Sequence, residues 1–471
     1  MKVALINPAS STEWNLNAKS SAPPLGLLYL ASSIRKQGDE LILIDQPADK
    51  LSDDELISKV ASYEPDVIGF SVMASQCARA AKQAKNLKDK LPNSKIVFGG
   101  AHATAVPDYM LKNYPQVDYV IKGEGELTFT GLIKHLKDSR FYKKLNGLYY
   151  RVKGFIKNGG PAKLITDLDS LPLPARDLID RRKYGTLSGL VLDDFGTLLS
   201  SRGCPYSCKY CACSAISNRT WRVRRIKRVV DELELMIGQG YHNVLFFDDS
   251  LTLNNKRVNE LCSEIKNRRL KINWFFEGRV NNADYETMHS MARTGCRIAY
   301  FGVESANKRV LYFYNKQINP QQAVVAVNKA RKAGIDFIVG SFILGAPGET
   351  VKEMDNTISF AKKLDIDFPQ ITTLMAYPGT ALWNELVSKG FINPVKHWES
   401  GVTVAEVYPD MSKQLVEQKV SDGYRQFLMR KLWGVKQVGR LIKSKFRLNF
   451  LMHNIAYFVR NKNLVKSLIN R

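Results

Sequence analysis

Short apolar runs alternate with helical patterns over the first 140 residues. The apolar runs predict five strands: Val3–Asn7, Leu41–Asp45, Val67–Val72, Lys95–Gly99 and Asp118–Lys122. Segments with apolar residues at helical spacing lie between them: Leu25–Lys36, Asp53–Tyr63, Gln76–Leu91 and Glu126–Leu136. Continuous apolar strands separated by helices indicate a parallel sheet covered on both faces. The pattern predicts an α/β, doubly wound domain over residues 1–140, with any ligand beyond the carboxyl ends of its strands.

A second α/β unit is predicted after a short connecting region, residues 141–195, which contains a hairpin around Lys153-Gly154 and a Pro-rich linker. Six further apolar runs then resume the alternation: Leu198–Ser200, Asn243–Phe247, Asn273–Gly278, Ile298–Gly302, Asp336–Leu344 and Gln370–Met375. Six strand–helix units exceed a simple half-sheet, so we expect a partial (β/α)6 barrel over residues 196–405, with its chemistry at the C-terminal strand ends. Residues 406–471 form a basic helical tail.

The composition argues against a secreted or membrane-spanning protein. The chain has 471 residues, of which 45% are hydrophobic, and no stretch is apolar for the length of a spanning helix. The apolar start of the N-terminus is too short for a signal peptide. Seven cysteines, an odd number at irregular spacing, argue against a secreted disulfide framework. We therefore expect a cytoplasmic protein.

Positive charge is concentrated at the C-terminus. The chain carries a net charge of +24, and residues 423–471 contain 12 Lys or Arg and no Asp or Glu. Apolar residues recur there at steps of three or four, from Leu428 to Phe446, as in a basic amphipathic helix. Such a helix can lie on an anionic membrane surface, the inner face for a cytoplasmic protein. A helix docked on the barrel with its charges in water, or a nucleic-acid contact, would give the same pattern.

Three cysteines fall within eight residues directly after the first strand of the second unit: Cys204, Cys208 and Cys211. Three thiolates held by Gly and Pro residues are suited to a soft metal centre. One hypothesis is a zinc site, because Cys213 could complete a set of four thiolates. The other hypothesis is a four-iron cluster, because three protein ligands leave one iron open for reactivity.

The Cys-x-x-x-Cys-x-x-Cys spacing in an Arg-Gly-Cys-Pro-Tyr setting, at the start of a βα barrel, resembles the radical S-adenosylmethionine (radical SAM) superfamily. The resemblance implies that the three cysteines hold a [4Fe–4S] cluster whose fourth iron binds SAM, and that the reduced cluster cleaves SAM to a 5′-deoxyadenosyl radical. It further implies SAM-binding positions near strand ends: Tyr210, Asp248, Asp249, Arg279, Glu304, Ser305, Gly345 and Gly348.

The first domain resembles the cobalamin-binding domain found in one group of this superfamily, related to anaerobic magnesium-protoporphyrin ester cyclase and cobalamin-dependent methyltransferases. The resemblance places possible cobalamin contacts at two glycine-rich turns: Gly99, Gly100, His102, Gly123 and Glu124. The Asp-x-His-x-x-Gly motif, whose His replaces the lower cobalt ligand, is absent from the sequence. His102 lies at the wrong strand end for that role, and is expected to structure its loop.

The sequence thus predicts a radical SAM enzyme that methylates, cyclises or couples an unactivated carbon, with no residue identified as catalytic. We expect a hydrophobic or membrane-associated substrate, a flavodoxin- or ferredoxin-type electron donor and no nucleic-acid partner. RNA-modifying methylthiotransferases carry three further N-terminal cysteines, whereas only Cys77 precedes Cys204 here. A non-catalytic corrinoid- or zinc-binding sensor is the alternative.

Overall fold

The computed structural model describes residues 1–10, 19–187, 190–430 and 433–460. It divides into two compact units. The first comprises Met1–Lys183 with Tyr377–Gly379 and Asn393–Gly401, and the second comprises Tyr184–Ala376, Thr380–Ile392 and Val402–Arg471. No helix in the described ranges is long and apolar enough to cross a membrane.

The first unit is built on a seven-stranded sheet in the order β2-β1-β3-β4-β5-β6-β7, of which the first five strands are parallel. Its strands are β1 (Lys2–Asn7), β2 (Glu40–Asp45), β3 (Val67–Ser71), β4 (Lys95–Gly99), β5 (Tyr119–Ile121), β6 (Leu148–Val152) and β7 (Phe155–Asn158). Its helices are α1 (Leu25–Lys36), α2 (Gln46–Asp49), α3 (Asp53–Tyr63), α4 (Cys77–Lys90), α5 (Ala101–Ala105), α6 (Pro107–Asn113), α7 (Gly125–Lys134) and, after a long excursion of the chain, α16 (Pro394–His397).

Apolar cores cover both faces of this sheet, as the continuous apolar strands predicted. The order 2-1-3-4-5 is that of a doubly wound fold, in which ligands bind beyond the carboxyl ends of the strands. The predicted hairpin is present. Its turn residues Lys153 and Gly154 both have positive φ, 49° and 82°, which suits a two-residue hairpin turn. β6 pairs antiparallel with β5, so the hairpin extends the sheet at one edge.

The second unit contains a six-stranded parallel sheet in the order β10-β13-β14-β15-β16-β17. The strands of this unit are β8 (Thr186–Leu187), β9 (Leu190–Val191), β10 (Phe195–Leu198), β11 (Ser201–Arg202), β12 (Arg222–Val223), β13 (Asn243–Phe246), β14 (Asn273–Arg279), β15 (Cys296–Glu304), β16 (Phe337–Leu344), β17 (Phe368–Thr373), β18 (Met375–Ala376) and β19 (Val402–Thr403). Consecutive strands pair in sequence order, which is the topology of the predicted partial barrel.

The helices of this unit are α8 (Ala212–Ile216), α9 (Ile226–Gly238), α10 (Asn255–Asn267), α11 (Tyr285–Arg293), α12 (Lys308–Phe313), α13 (Pro320–Ala333), α14 (Val351–Lys363), α15 (Ala381–Ser388), α17 (Val404–Val407), α18 (Lys413–Leu428), α19 (Trp433–Ile442) and α20 (Lys445–Arg460). Of these, α9, α10, α11, α13, α14 and α18 bury apolar residues in one large core with the sheet. Capping boxes begin α13 at Asn319 and α14 at Thr350, so both helices start at residues that satisfy their free N–H groups.

The tail differs from the single amphipathic helix that its periodicity predicted over 428–446. α18 ends at Leu428, and α19 and α20 are separate helices that meet near Ser444. Leu432, one of the residues in the predicted stripe, lies outside the described residues.

Candidate active site

The three clustered cysteines lie on a loop that leaves the sheet at the end of β10 and passes through the short strand β11. Gly203 opens this loop with φ +91°, and a Cβ there would lie 2.0 Å from the carbonyl oxygen of Thr220. Its amide N–H donates to Asp249 Oδ2 at 2.8 Å. Only glycine fits this turn, so the Gly before Cys204 is a steric requirement of the loop.

Hydrogen bonds attach the middle of the loop to the rest of the barrel unit. The amide N–H of Lys209 donates to the carbonyl oxygen of Tyr314 at 3.0 Å, and the Lys209 carbonyl accepts from Leu382 at 2.8 Å. The side-chain amide of Asn315 donates to the Ser207 carbonyl and hydroxyl oxygens. These contacts fix the backbone between Cys204 and Cys211.

The three clustered cysteines are free thiols, as metal ligands must be. Cys208 is buried, and its sulfur accepts from Arg279 Nη1 at 3.3 Å. Over the described ranges, no group of three or more His, Cys, Asp or Glu side chains converges to hold a single metal ion. In a cubane each cysteine binds a different iron, and three cysteine thiols on one loop are a donor set of that kind.

Cys213 lies in the first turn of α8, two residues after Cys211. Its sulfur lies 3.8 Å from the hydroxyl of Ser217, one turn along the chain. This contact leaves Cys213 as a helix residue beside the loop.

Arg279 joins the loop to the barrel wall. It is buried, its guanidinium lies 3.7 Å from the centroid of the Tyr206 ring, and Nη2 donates to the carbonyl oxygen of Lys316. These contacts hold a cation beside the sulfur of Cys208. The resemblance gives Arg279 as a SAM contact, and that role stays a prediction.

Glu304 and Tyr210 form a buried network that includes Lys316, a residue the sequence did not indicate. Lys316 Nζ lies 2.6 Å from Glu304 Oε1, and Tyr210 donates to the same oxygen at 3.0 Å. Glu304 has φ +67°, an uncommon conformation for a non-glycine residue. Burial, followed by the Glu304 charge, raises the pKa of Tyr210, so its hydroxyl stays protonated and donates. The network fixes the Tyr210 ring one residue before Cys211.

Asp248 and Asp249 contact the cluster loop as well. The Asp248 carboxylate accepts from the amide and hydroxyl of Ser200 and from the hydroxyl of Ser201, at 2.5–2.7 Å. Asp248 is buried, and burial raises the pKa of its carboxyl despite these donors. Together with the bond from Asp249 to Gly203, these contacts position the loop.

The remaining three SAM residues suggested by resemblance lie after two different strands, β15 and β16. Ser305 is fully buried and lies 3.1 Å from the Thr357 hydroxyl, so it connects the end of β15 to α14. Gly345 and Gly348 both have positive φ, 91° and 67°, in the turn after β16. Glu349 closes that turn by accepting from the amides of Gly345 and Ala346 at 2.8 and 3.0 Å.

Burial raises the pKa of Glu349 to about 7, although the two amide donors oppose this shift. The folded state therefore favours the neutral acid, and this stability is lost as pH rises from about 4.5 to about 7. Glu349→Gln should remove this dependence of the free energy of unfolding on pH, which amounts to about 3 kcal/mol at most. Thermal unfolding midpoints of both proteins across this range check it: the wild type should fall relative to the variant. A parallel course of the two curves would contradict the assignment.

In the first unit, the predicted cobalamin positions lie beyond the carboxyl ends of β4 and β5. Gly123 donates its amide to the Thr104 hydroxyl at 2.9 Å, and Glu124 accepts from the Ile165 amide at 2.6 Å. Gly100 has φ +97°, and a Cβ there would lie 2.8 Å from the Val72 nitrogen. Gly100 is therefore required by its turn.

The same edge fits a bound cofactor on two observations. The nearest atom to a Cβ built on Gly99 is 4.0 Å away, so the backbone there is open to a ligand. His102 is buried, and its Nε2 has no hydrogen-bond partner among the described residues. Burial lowers the pKa of His102 to about 4, so the imidazole is neutral. Its ring stacks with Trp398 at 6.5 Å and 5°, as suits a residue that structures its loop.

Comparison with known proteins agrees with both units. Residues 15–133 match the B12 binding domain, and residues 198–361 match the radical SAM superfamily. The fold and the cluster loop thus define a radical SAM barrel preceded by a B12-binding domain. The chain belongs to the radical SAM superfamily, in the group that carries this N-terminal domain.

Relatives extend over most of the chain. An uncharacterized methyltransferase of Pyrococcus horikoshii, PH0819, is 35% identical over 95% of this chain and 97% of its own. Anaerobic magnesium-protoporphyrin IX monomethyl ester cyclase of Rubrivivax gelatinosus is 26% identical over 93% of this chain and 79% of its own. These matches confirm the prediction of an enzyme of the cobalamin-type radical SAM group.

The fold is shared with a solved methyltransferase. TsrM from Kitasatospora setae, a radical SAM methyltransferase solved with cobalamin and a [4Fe–4S] cluster, superimposes with a TM-score of 0.68 at 19% identity. The match covers 82% of this chain and 75% of that one. The predicted fold class, a doubly wound domain followed by a radical SAM barrel, is therefore confirmed.

Proposed function

We propose that this enzyme methylates an unactivated carbon of a hydrophobic substrate. Methylation is favoured over cyclisation by the Pyrococcus horikoshii relative, which is named a methyltransferase and matches along nearly the whole chain. The hydrophobic substrate is supported by relatives whose names give a magnesium porphyrin ester and a hopanoid.

The observation that carries the proposal is the loop of Cys204, Cys208 and Cys211, held by Gly203 and joined to Arg279. When bound, the [4Fe–4S] cluster and SAM supply a 5′-deoxyadenosyl radical, and cobalamin supplies a transferable methyl group. The three cysteines would hold the cluster, and Arg279 would keep its hydrogen bond to the Cys208 sulfur. Tyr210, fixed by Glu304 and Lys316, would present its ring to SAM.

The barrel lumen provides the surface for a substrate. Side chains alternate along a strand, and Phe276 and Phe301 belong to the core on the helix side. Their strand neighbours Glu277 and Tyr300 therefore face the lumen, near the cluster loop. Phe247, which follows β13, is 51% exposed. We propose that the aromatic side chains contact the apolar body of the substrate and that Glu277 accepts a hydrogen bond from it.

The proposed reaction also requires an electron donor for the cluster. Reduction of the cluster needs a low-potential donor, and we propose a cytoplasmic flavodoxin- or ferredoxin-type protein. Mixing reduced flavodoxin or ferredoxin with the holoprotein should bleach the cluster absorption. No bleaching by either protein, with dithionite effective, would contradict this donor class.

Product analysis tests the reaction type. Anaerobic incubation with cobalamin, SAM and dithionite should yield both 5′-deoxyadenosine, from radical formation, and S-adenosylhomocysteine, from methyl donation. Formation of 5′-deoxyadenosine alone would indicate cyclisation or coupling, and absence of both would overturn the proposal. Feeding cells methyl-deuterated methionine should label a compound in the organic extract in an enzyme-dependent manner; label confined to the aqueous phase would contradict a hydrophobic substrate.

A further inference from the structure

The two C-terminal helices dock on the barrel through arginines. Arg430, just after α18, donates to three carbonyl oxygens around the turn between α14 and β17. Arg440 of α19 pairs with Asp365 and Asp367, and Arg447 of α20 pairs with Asp367 at 2.9 Å. Asp367 is fully buried. α20 also docks through Phe446 and Phe450, whose rings pack against Phe337 of β16. In α19 the docked face is the charged one, which reverses the arrangement usual for an amphipathic helix.

The apolar residues of α19 point the other way. Val435, Val438 and Ile442, spaced by three and four residues, lie on one face and are 68%, 57% and 83% exposed. Neighbouring segments add further exposed apolar side chains. We define the tail stripe as these eight residues: Leu428, Met429, Val435, Val438, Ile442, Leu448, Leu451 and Met452. They are eight of the 23 exposed large apolar side chains in the described ranges, concentrated in 25 residues. Such concentration is typical of an interaction surface.

Exposed lysines flank the tail stripe. Lys436, Lys443 and Lys445 are exposed and have no carboxylate partner among the described residues. The sequence contains no Asp or Glu after Asp422, and residues 461–471 contribute three more Lys or Arg residues to this basic segment. The partner of this surface must therefore bring negative charge.

A basic pocket of about 560 Å³ lies at the same end of the barrel, around the starts of β14 and β15. Arg297, on its wall, is 5.9 Å from the ring centroid of Phe446 at the start of α20. Six basic or imidazole side chains line the pocket, and no carboxylate does: His242, Lys266, Arg269, Lys271, Arg293 and Arg297. A pocket of this kind suits phosphate groups.

We propose that this end of the barrel docks on an anionic phospholipid bilayer. The tail stripe would enter the boundary between headgroups and acyl chains, while the lysines and the basic pocket bind lipid phosphates. A symmetric dimer through the same face would bring two basic surfaces together. Nucleic acid would satisfy the charges but would leave the apolar stripe in water. The surface lies at the opposite strand ends from the cluster loop, so the inference is independent of the reaction proposed above.

Vesicle co-sedimentation of the full-length holoprotein tests this proposal. The protein should bind phosphatidylcholine vesicles that contain phosphatidylglycerol, and bind weakly to phosphatidylcholine alone. The triple variant Val435→Ser, Val438→Ser, Ile442→Ser should bind at least about tenfold more weakly. Its matched control replaces three exposed apolar residues of other helices, Leu235→Ser, Val325→Ser and Val351→Ser, and should bind like the wild type.

The basic pocket is tested in the same assay. Lys266→Ala, Lys271→Ala and Arg293→Ala should each weaken binding to the anionic vesicles about fivefold. Thermal unfolding of every variant confirms that it is folded. Wild-type protein that stays in the supernatant, or a tail-stripe variant that still sediments, overturns the proposal. The proposal is also overturned if the wild-type protein forms a dimer that the triple variant does not form. It is overturned as well if the wild-type protein binds nucleic acid through the tail stripe and does not bind vesicles.

Discussion

Cys208→Ala should reduce the iron content of anaerobically reconstituted protein from about four per chain to near zero. It should abolish formation of 5′-deoxyadenosine from SAM, because the cluster is the source of the electron. Cys208 is the buried member of the trio and the one that contacts Arg279, so water is a poor substitute for its sulfur.

Cys213→Ala is the matched control, because it removes a thiol five residues away in α8. We expect it to retain four irons and near-wild-type 5′-deoxyadenosine formation. Iron and acid-labile sulfide assays, with the visible spectrum, measure both variants. An equal loss of metal in the Cys208 and Cys213 variants, or one zinc per wild-type chain, would instead support a four-thiolate zinc site.

Lys316→Met should destabilise the barrel unit by about 3–5 kcal/mol, because it leaves the buried carboxylate of Glu304 without its partner. Both side chains are at most 7% exposed, so solvent cannot replace the lost charge. The variant should also bind SAM more weakly, since Tyr210 shares the network.

The double variant Glu304→Gln, Lys316→Met should recover most of this stability, because it removes both charges. Urea unfolding monitored by tryptophan fluorescence compares the four proteins of the cycle. A single variant that loses less than about 1 kcal/mol would show that the pair is not buried in solution.

The sequence predicted the regular elements well because their signals are local. Apolar runs predicted the eleven parallel strands, although β10 is Phe195–Leu198 and shares only Leu198 with the predicted run Leu198–Ser200. α1 and α3 have the predicted bounds. The cysteine loop was equally visible, since its three cysteines lie within eight residues. The resemblance to the radical SAM group with a cobalamin-binding domain also rests on such local motifs.

Contacts between distant segments had no such signal. Lys316 lies more than 100 residues from Tyr210, in a loop where nothing distinguished it from a surface lysine. Asp248 is a predicted SAM contact, but its bonds to serines 47 and 48 residues earlier, which attach it to the loop, had no local signal. Periodicity showed that the tail is amphipathic but not which face would dock, because the docking carboxylates belong to the turn before β17.

The most direct measurement is electron paramagnetic resonance of the dithionite-reduced holoprotein, recorded with and without SAM. We predict a [4Fe–4S]⁺ signal whose g-values shift when SAM is added, because the fourth iron accepts SAM as its ligand. A cluster signal that SAM leaves unchanged, or no cluster signal at all, would contradict the assignment of the three-cysteine loop.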